Sequence, residues 1–340
     1  MGMRRLDTPL GELLGVRFAI VESPMAFVAP PSLAVEVSNA GALGFVAGAP
    51  LSPDALRDAI REVRAGTVGP FGVNLFAPLE RTPATEEQLA AVDALLAPHR
   101  ERAGLAAPAA PSFPPWTFDD QLAVVLEERP AVFSSTFGVV DPAPLQDAGI
   151  LVLGTATTVA EAEAQAAAGV DAVVLQGAEA GGHRGAFLDG GGLVPLAQLV
   201  ADTVAAIPTP VIAAGGIVDG AGIAAAIDLG AQAVQLGTAF LFTPECGTPR
   251  AWLDALREHE TVVTAAYSGR AARTARTPFV EELEAGPAPL PYPLQRGAIG
   301  GLASVDGYGL YLGGTGAPQA REMPVAQLIR TLAVETELAD

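Results

Sequence analysis

Short β-rich runs alternate with alanine-rich helical runs about eight times along these 340 residues. Such alternation implies parallel strands, because parallel neighbours need a crossover helix and cannot be joined by a hairpin. The strand runs are Phe18 to Pro24, Leu43 to Ala47, Phe71 to Phe76, Ala131 to Phe137, Ile150 to Leu153, Ala172 to Gln176, Val211 to Ala214 and Ala233 to Leu236. Helical runs lie at Pro31 to Asn39, Pro53 to Arg64, Val159 to Ala168, Leu196 to Ala206 and Ile223 to Asp228. The repeat predicts an α/β protein, a single (β/α)8 TIM barrel.

Two segments depart from the rhythm. Residues 81–121 form an insertion after the third strand, with helical flanks at Glu86 to Leu96 and Phe118 to Glu128. Its middle, Ala106 to Pro115, is rich in Ala and Pro and reads as a loop. Beyond the eighth strand, Gly, Pro and Arg punctuate Tyr267 to Gly316, and a helix is expected over Pro324 to Glu337. The expected organisation is a barrel over 1–245 and an extension over 246–340 that packs on it and covers one mouth.

Composition removes whole classes of function. All 19 basic residues are arginine. Without lysine there is no Schiff base, no pyridoxal phosphate anchor and no Walker A loop. A formal net charge of -19 opposes nucleic acid and anionic membrane as partners. One cysteine, Cys246, allows no internal disulfide and no thiolate metal cluster, and we read it as a packing residue. No metal site is expected. Met1 to Gly15 holds no apolar run of signal-peptide length, and no stretch is apolar enough to span a bilayer. A cytoplasmic location is expected.

In this fold the chemistry sits at the C-terminal ends of the strands. The seventh strand runs into Gly215-Gly216-Ile217, and Gln235-Leu236 of the eighth runs into Gly237-Thr238. Glycines there let backbone N–H groups approach a phosphate. One terminal phosphate is provided for, and no Gly-x-Gly-x-x-Gly dinucleotide fingerprint follows the first strand. The sixth strand ends in Gln176-Gly177-Ala178-Glu179-Ala180-Gly181-Gly182-His183-Arg184-Gly185. An imidazole in a glycine-rich loop at a barrel mouth can carry a proton near neutrality, so His183 is the candidate base. His99 and His259 sit in charged runs and are expected on the solvated surface.

That decapeptide resembles the signature of the nitronate monooxygenase family, also called 2-nitropropane dioxygenases. Pro24-Met25-Ala26, Val37 to Gly41, Phe71 to Phe76, Val211 to Gly216, Gln235 to Phe240 and Ser268-Gly269-Arg270 resemble further family segments. The resemblance implies bound FMN and oxidation of alkyl nitronates or nitroalkanes by dioxygen to a carbonyl compound and nitrite. It implies cofactor contacts at Pro24, Met25 and Ala26, at Asn74 and Gln176, and at Gly181 and Gly182. The phosphate turns would add Gly215, Gly216, Gln235, Leu236, Gly237 and Thr238. A small-molecule substrate and dioxygen are the implied partners, with a homodimer as the assembly to test. Two rival readings are an NAD(P)H-dependent reductase of quinones or enoyl thioesters and a flavin-binding protein without turnover. This chain departs from the family pattern twice. Phe27-Val28-Ala29-Pro30 replaces Gly-Gly-Pro after the Pro-Met-Ala start, and Leu312-Gly313-Gly314-Thr315 replaces a Gly-Gln ending.

Overall fold

Strands covered on both faces read as near-continuous apolar runs rather than alternating ones, and Gly44–Ala47, Val211–Ala214 and most of Ala172–Gln176 follow that pattern. The structure, a computed structural model, describes residues 5–188 and 192–339; the first four residues of the N-terminal stretch discussed above lie outside this range. The barrel strands are β1 (Ile20–Glu22), β2 (Gly44–Ala47), β3 (Phe71–Phe76), β4 (Val132–Thr136), β5 (Leu151–Ala156) and β6 (Ala172–Gln176). After a short strand β7 (Gly182–His183) come β8 (Val211–Ala214) and β9 (Ala233–Leu236). Eight parallel strands run in the order β1-β9-β8-β6-β5-β4-β3-β2, a (β/α)8 TIM barrel.

The barrel closes between β1 and β2. Leu43 N donates to Ile20 O at 2.9 Å, and Glu22 N donates to Leu43 O at 2.8 Å. The next rung is made by a side chain, with Phe45 N donating to Glu22 Oε2 at 3.1 Å. Glu22 is fully buried, and burial pushes its carboxyl up to about 8. At neutral pH this carboxyl is therefore mostly protonated, which avoids burying a lone charge.

Helix starts follow side-chain capping. Ser52, Thr85, Thr117 and Thr158 each accept from the third residue beyond them, and Gln88 and Asp120 complete capping boxes. The insertion helix runs Glu86–Arg102, past the expected end at Leu96 and through Pro98.

The final helix, Val325–Leu338, packs against the helices Pro31–Asn39 and Gly220–Asp228. It thus takes the place in the outer ring beside β1 and β9. Glu335 pairs with Arg321 at 2.6 Å and accepts from Gly220 N at 3.1 Å. A Cβ on Gly220 would lie 2.3 Å from Glu335 Cβ, so this approach requires glycine.

Over the mouth, the insertion and the extension share a second apolar cluster. Val92 and Leu96 of the insertion pack with Phe279, Leu283, Leu294 and Ile299. His99 belongs to this cap, which corrects its expected surface position. It is 3% exposed, its Nε2 lies 2.8 Å from Glu282 Oε1, and Phe279 and Tyr308 meet its ring edge-on. Arg100 beside it is buried as well, while Glu101 and Arg102 are exposed. His259 is half-exposed. A small antiparallel sheet, in the order β10 (Thr261–Thr264), β11 (Ala272–Ala275), β7, ties the cap to the β6 loop. Among the described residues, no helix is long and apolar enough to cross a membrane.

Candidate active site

A cavity of about 750 Å³ lies between the C-terminal ends of the barrel strands and the cap. Pro24, Met25 and Ala26 line it after β1, Asn74 on β3, and Gln176, Gly181, Gly182 and His183 along β6 and its loop. Gly215, Gly216, Gln235, Gly237 and Thr238 complete the barrel side. Of the residues expected to touch a cofactor, Leu236 does not line the cavity; it is 1% exposed and packs in the core.

The turns after β8 and β9 have open donors. The N–H groups of Gly215, Gly216 and Gly237 donate to no acceptor among the described residues. Gly215 (φ 132) and Gly216 (φ 72) need a backbone that side chains rarely adopt. Open N–H groups at two adjacent strand ends suit an oxyanion such as a phosphate, so the residues present fit a mononucleotide cofactor.

The β6 loop is held from several sides. Gln176 Nε2 donates to His183 O at 2.9 Å, and Gly185 N donates to Gln176 Oε1 at 2.8 Å. Both ends of this amide thus shape the loop. Arg184 donates to Gly177 O at 2.7 Å and Gln176 O at 2.9 Å, and Arg273 donates to Ala178 O. Glu161, fully buried, accepts from Thr157 N, Thr157 Oγ1, Phe187 N and Leu188 N at 2.6–3.0 Å. Asn74 spends its Nδ2 on Ser134 and Thr136 of β4; its carbonyl oxygen takes no protein donor among the described residues.

His183 Nε2 lies 2.9 Å from Ser268 Oγ. The serine hydroxyl has one hydrogen and gives it to Arg270 O at 2.9 Å. The contact to His183 is therefore made by the imidazole N–H, and Nδ1 keeps the lone pair. Burial, then the Arg270 and Arg296 charges, pull this imidazole down to about 4. It is neutral at pH 7. Phe137 and Tyr292 meet its ring edge-on at 6.3 and 5.3 Å. Burial pushes the Tyr292 phenol up to about 12, so it is a neutral donor.

A sequence profile described as Nitronate monooxygenase matches residues 7–335. The chain belongs to the nitronate monooxygenase family. A nitronate monooxygenase of Paraburkholderia phytofirmans is 42% identical over 345 residues, covering 94% of this chain and 92% of that one. The structure is similar to a nitroalkane oxidase from Streptomyces ansochromogenes, with a TM-score of 0.89, 36% identity and coverage of 97% and 99%. It is also similar to FabK from Thermotoga maritima, with a TM-score of 0.76, 31% identity and coverage of 97% and 96%.

Both departures from the nitronate monooxygenase pattern fall at the cavity. Gly314 N donates to Thr238 Oγ1 at 2.9 Å, and Thr315 N to Glu179 O at 3.0 Å. That loop also crosses Gly181, where a Cβ would lie 2.5 Å from Gly313 C. Phe27 stands at the mouth, 65% exposed. Sequence reasoning gave no role to Ser268, Tyr292 or Arg296, nor to the cavity wall at Phe113 and Trp116. These residues reach the site from the cap, where no motif marks them except Ser268-Gly269-Arg270. Cys246 is buried; its thiol is pushed up to about 11 by burial and accepts from Thr248 Oγ1 at 3.2 Å. That is the environment of a packing residue.

Proposed function

We propose that this chain binds FMN and oxidises alkyl nitronates or nitroalkanes with dioxygen, giving a carbonyl compound and nitrite. The observation that carries the reading is the neutral His183, held through Nε2 by Ser268, in a cavity also lined by Gly215, Gly216 and Gly237, whose N–H groups have no acceptor among the described residues. Membership of the nitronate monooxygenase family supports it.

Gly215, Gly216, Gly237 and Thr238 would hold the phosphate, and Pro24 to Ala26 with Asn74 would border the ring. Bound there, the flavin supplies electron acceptance and the reaction with dioxygen. His183 Nδ1 takes the α-proton of a neutral nitroalkane, while its Nε2–H stays on Ser268 and fixes the ring. A substrate that arrives as nitronate needs no such transfer. The cap walls one side of the cavity with Phe113, Trp116 and Tyr292, and such aromatic walls strengthen the polar contacts made against them.

The test is an absorption spectrum of the purified protein, followed by oxygen uptake and nitrite release with a nitronate. A flavin spectrum, released FMN and nitrite production are expected. A colourless protein that FMN cannot reconstitute refutes the cofactor assignment. Rapid anaerobic bleaching by NAD(P)H, without nitronate turnover, would replace the reaction by a reductase.

A further inference from the structure

Two phenylalanines at the cavity have left-handed backbone, Phe27 at φ 70 and Phe137 at φ 76. Bulky side chains avoid this region, and such strain persists where the surroundings hold it, often at functional sites. Each ring carries a guanidinium. Arg296 Cζ lies 3.4 Å from the Phe27 centroid, and Arg270 Cζ lies 3.9 Å from that of Phe137. The two arginines differ in their commitments. Arg270 donates to Ala186 O. Arg296 lines the cavity, and among the described residues it has no hydrogen-bond acceptor and no carboxylate partner.

Phe27 gains little from burial, being 65% exposed. Glycine, which the family pattern carries after Pro-Met-Ala, would adopt φ 70 without strain. What the phenylalanine adds is a π face beneath a free guanidinium. A guanidinium offers its N–H groups in its own plane, in a fork that matches two oxygens on one planar centre. A nitronate has that shape and carries a net negative charge. A neutral nitroalkane lacks the charge.

We propose that Phe27 is a positioning and specificity residue that holds Arg296 over the cavity mouth to clamp both oxygens of a planar nitronate-type anion. The inference rests on the nitronate reading given above and names the group that selects the anion within it.

The test uses the holoenzyme and the variants Phe27→Leu, Phe27→Gly, Phe27→Tyr and Arg296→Met. Loss of a partly exposed cation–π contact should raise KM for an alkyl nitronate about two- to fivefold in Phe27→Leu and Phe27→Gly. The kcat should move less than KM, and KM for the neutral nitroalkane should stay in place. Phe27→Tyr should restore the wild-type KM. Nitrate, a planar anion, serves as a probe without turnover, and its Kd from tryptophan fluorescence should shift in step. In an Arg296→Met background, Phe27→Leu should add nothing. Phe27→Gly should melt no lower than wild type, because glycine suits this backbone; a purely structural phenylalanine would give a lower Tm. An unchanged nitronate KM and nitrate Kd in Phe27→Leu overturns the proposal, as does a full additional loss in the Arg296→Met background. A wild type that oxidises no nitronate refutes the proposed function, and the nitrate series then decides the anion clamp separately.

Discussion

Ser268 sits between His183 and a backbone carbonyl, and its single hydroxyl hydrogen goes to the carbonyl of Arg270. One serine thereby decides which imidazole nitrogen is basic. Removing it in Ser268→Ala frees the ring to rotate and to exchange tautomers. The expected result is about a tenfold loss of kcat/KM on neutral nitroalkane, smaller than the roughly 10²- to 10⁴-fold that a positioned base contributes, because the base itself stays in place. Ser268→Thr, which keeps the hydroxyl, should recover most of it. Equal activity in Ser268→Ala would remove the serine from the mechanism.

His183→Asn should lower kcat/KM for a neutral nitroalkane by about 10²- to 10⁴-fold and affect pre-formed nitronate much less. Flavin content should hold, because the phosphate turns belong to β8 and β9. Equal losses on both substrate forms would make His183 an orienting group.

The pH profile should bear the mark of the same imidazole. Its pKa is pulled from 6.5 to about 4, so the reactive neutral form persists well into acid. The acid limb of kcat/KM on nitroalkane should fall below pH 5, and a limb centred near 6.5 would contradict the burial. The sign for stability follows the same shift. The histidine's contribution is present above pH 6.5 and is lost as pH falls toward 4, where only the unfolded chain binds the proton readily.

Gly237→Asp is the cleaner probe of the phosphate site. Gly237 has ordinary negative φ, and a Cβ there meets Ser23 Cβ at 3.3 Å, a small adjustment. At Gly216, by contrast, φ is 72 and a Cβ would lie 2.9 Å from Glu179 Cβ, so a substitution confounds strain with charge. The Gly237→Asp protein should fold with a normal circular dichroism spectrum and lose FMN, since a carboxylate would face the phosphate. Full flavin occupancy would relocate the site.

Glu22 gives a stability signature of opposite sign. Its folded pKa of about 8 lies above the ordinary 4.5, so its contribution is intact below pH 4.5 and lost as pH rises toward 8. Glu22→Gln keeps an acceptor for Phe45 N and cannot ionise. The variant should match wild type in Tm at pH 5 and exceed it at pH 8.5. A constant difference across that range would show that the carboxyl does not titrate in the seam.

Much of the barrel was legible because its elements are defined locally. Phe71–Phe76, Ala172–Gln176, Val211–Ala214 and Ala233–Leu236 were bounded correctly from apolar runs between turn residues. The first strand shrank to Ile20–Glu22 because pairing with β9 covers only those residues. The small sheet was invisible: a two-residue strand at Gly182–His183 has no pattern, and its partner lies at Ala272–Ala275. The strand-end half of the site could be read from glycines and from His183. The cap half could not, since Tyr292 and Arg296 meet the cavity, and Ser268 meets His183, only through long-range packing. His99 misled for the same reason, because a charged run does not reveal that His99 and Arg100 turn inward.

The helix Val325–Leu338 lies beside the barrel seam but follows the whole cap in sequence. A ribosome must therefore finish the cap before the outer ring can close. Until then β1 and its neighbours lack part of their apolar cover, and nascent chains with exposed strands are prone to associate. The barrel gains this outer helix only once the segments that roof its cavity have already been made.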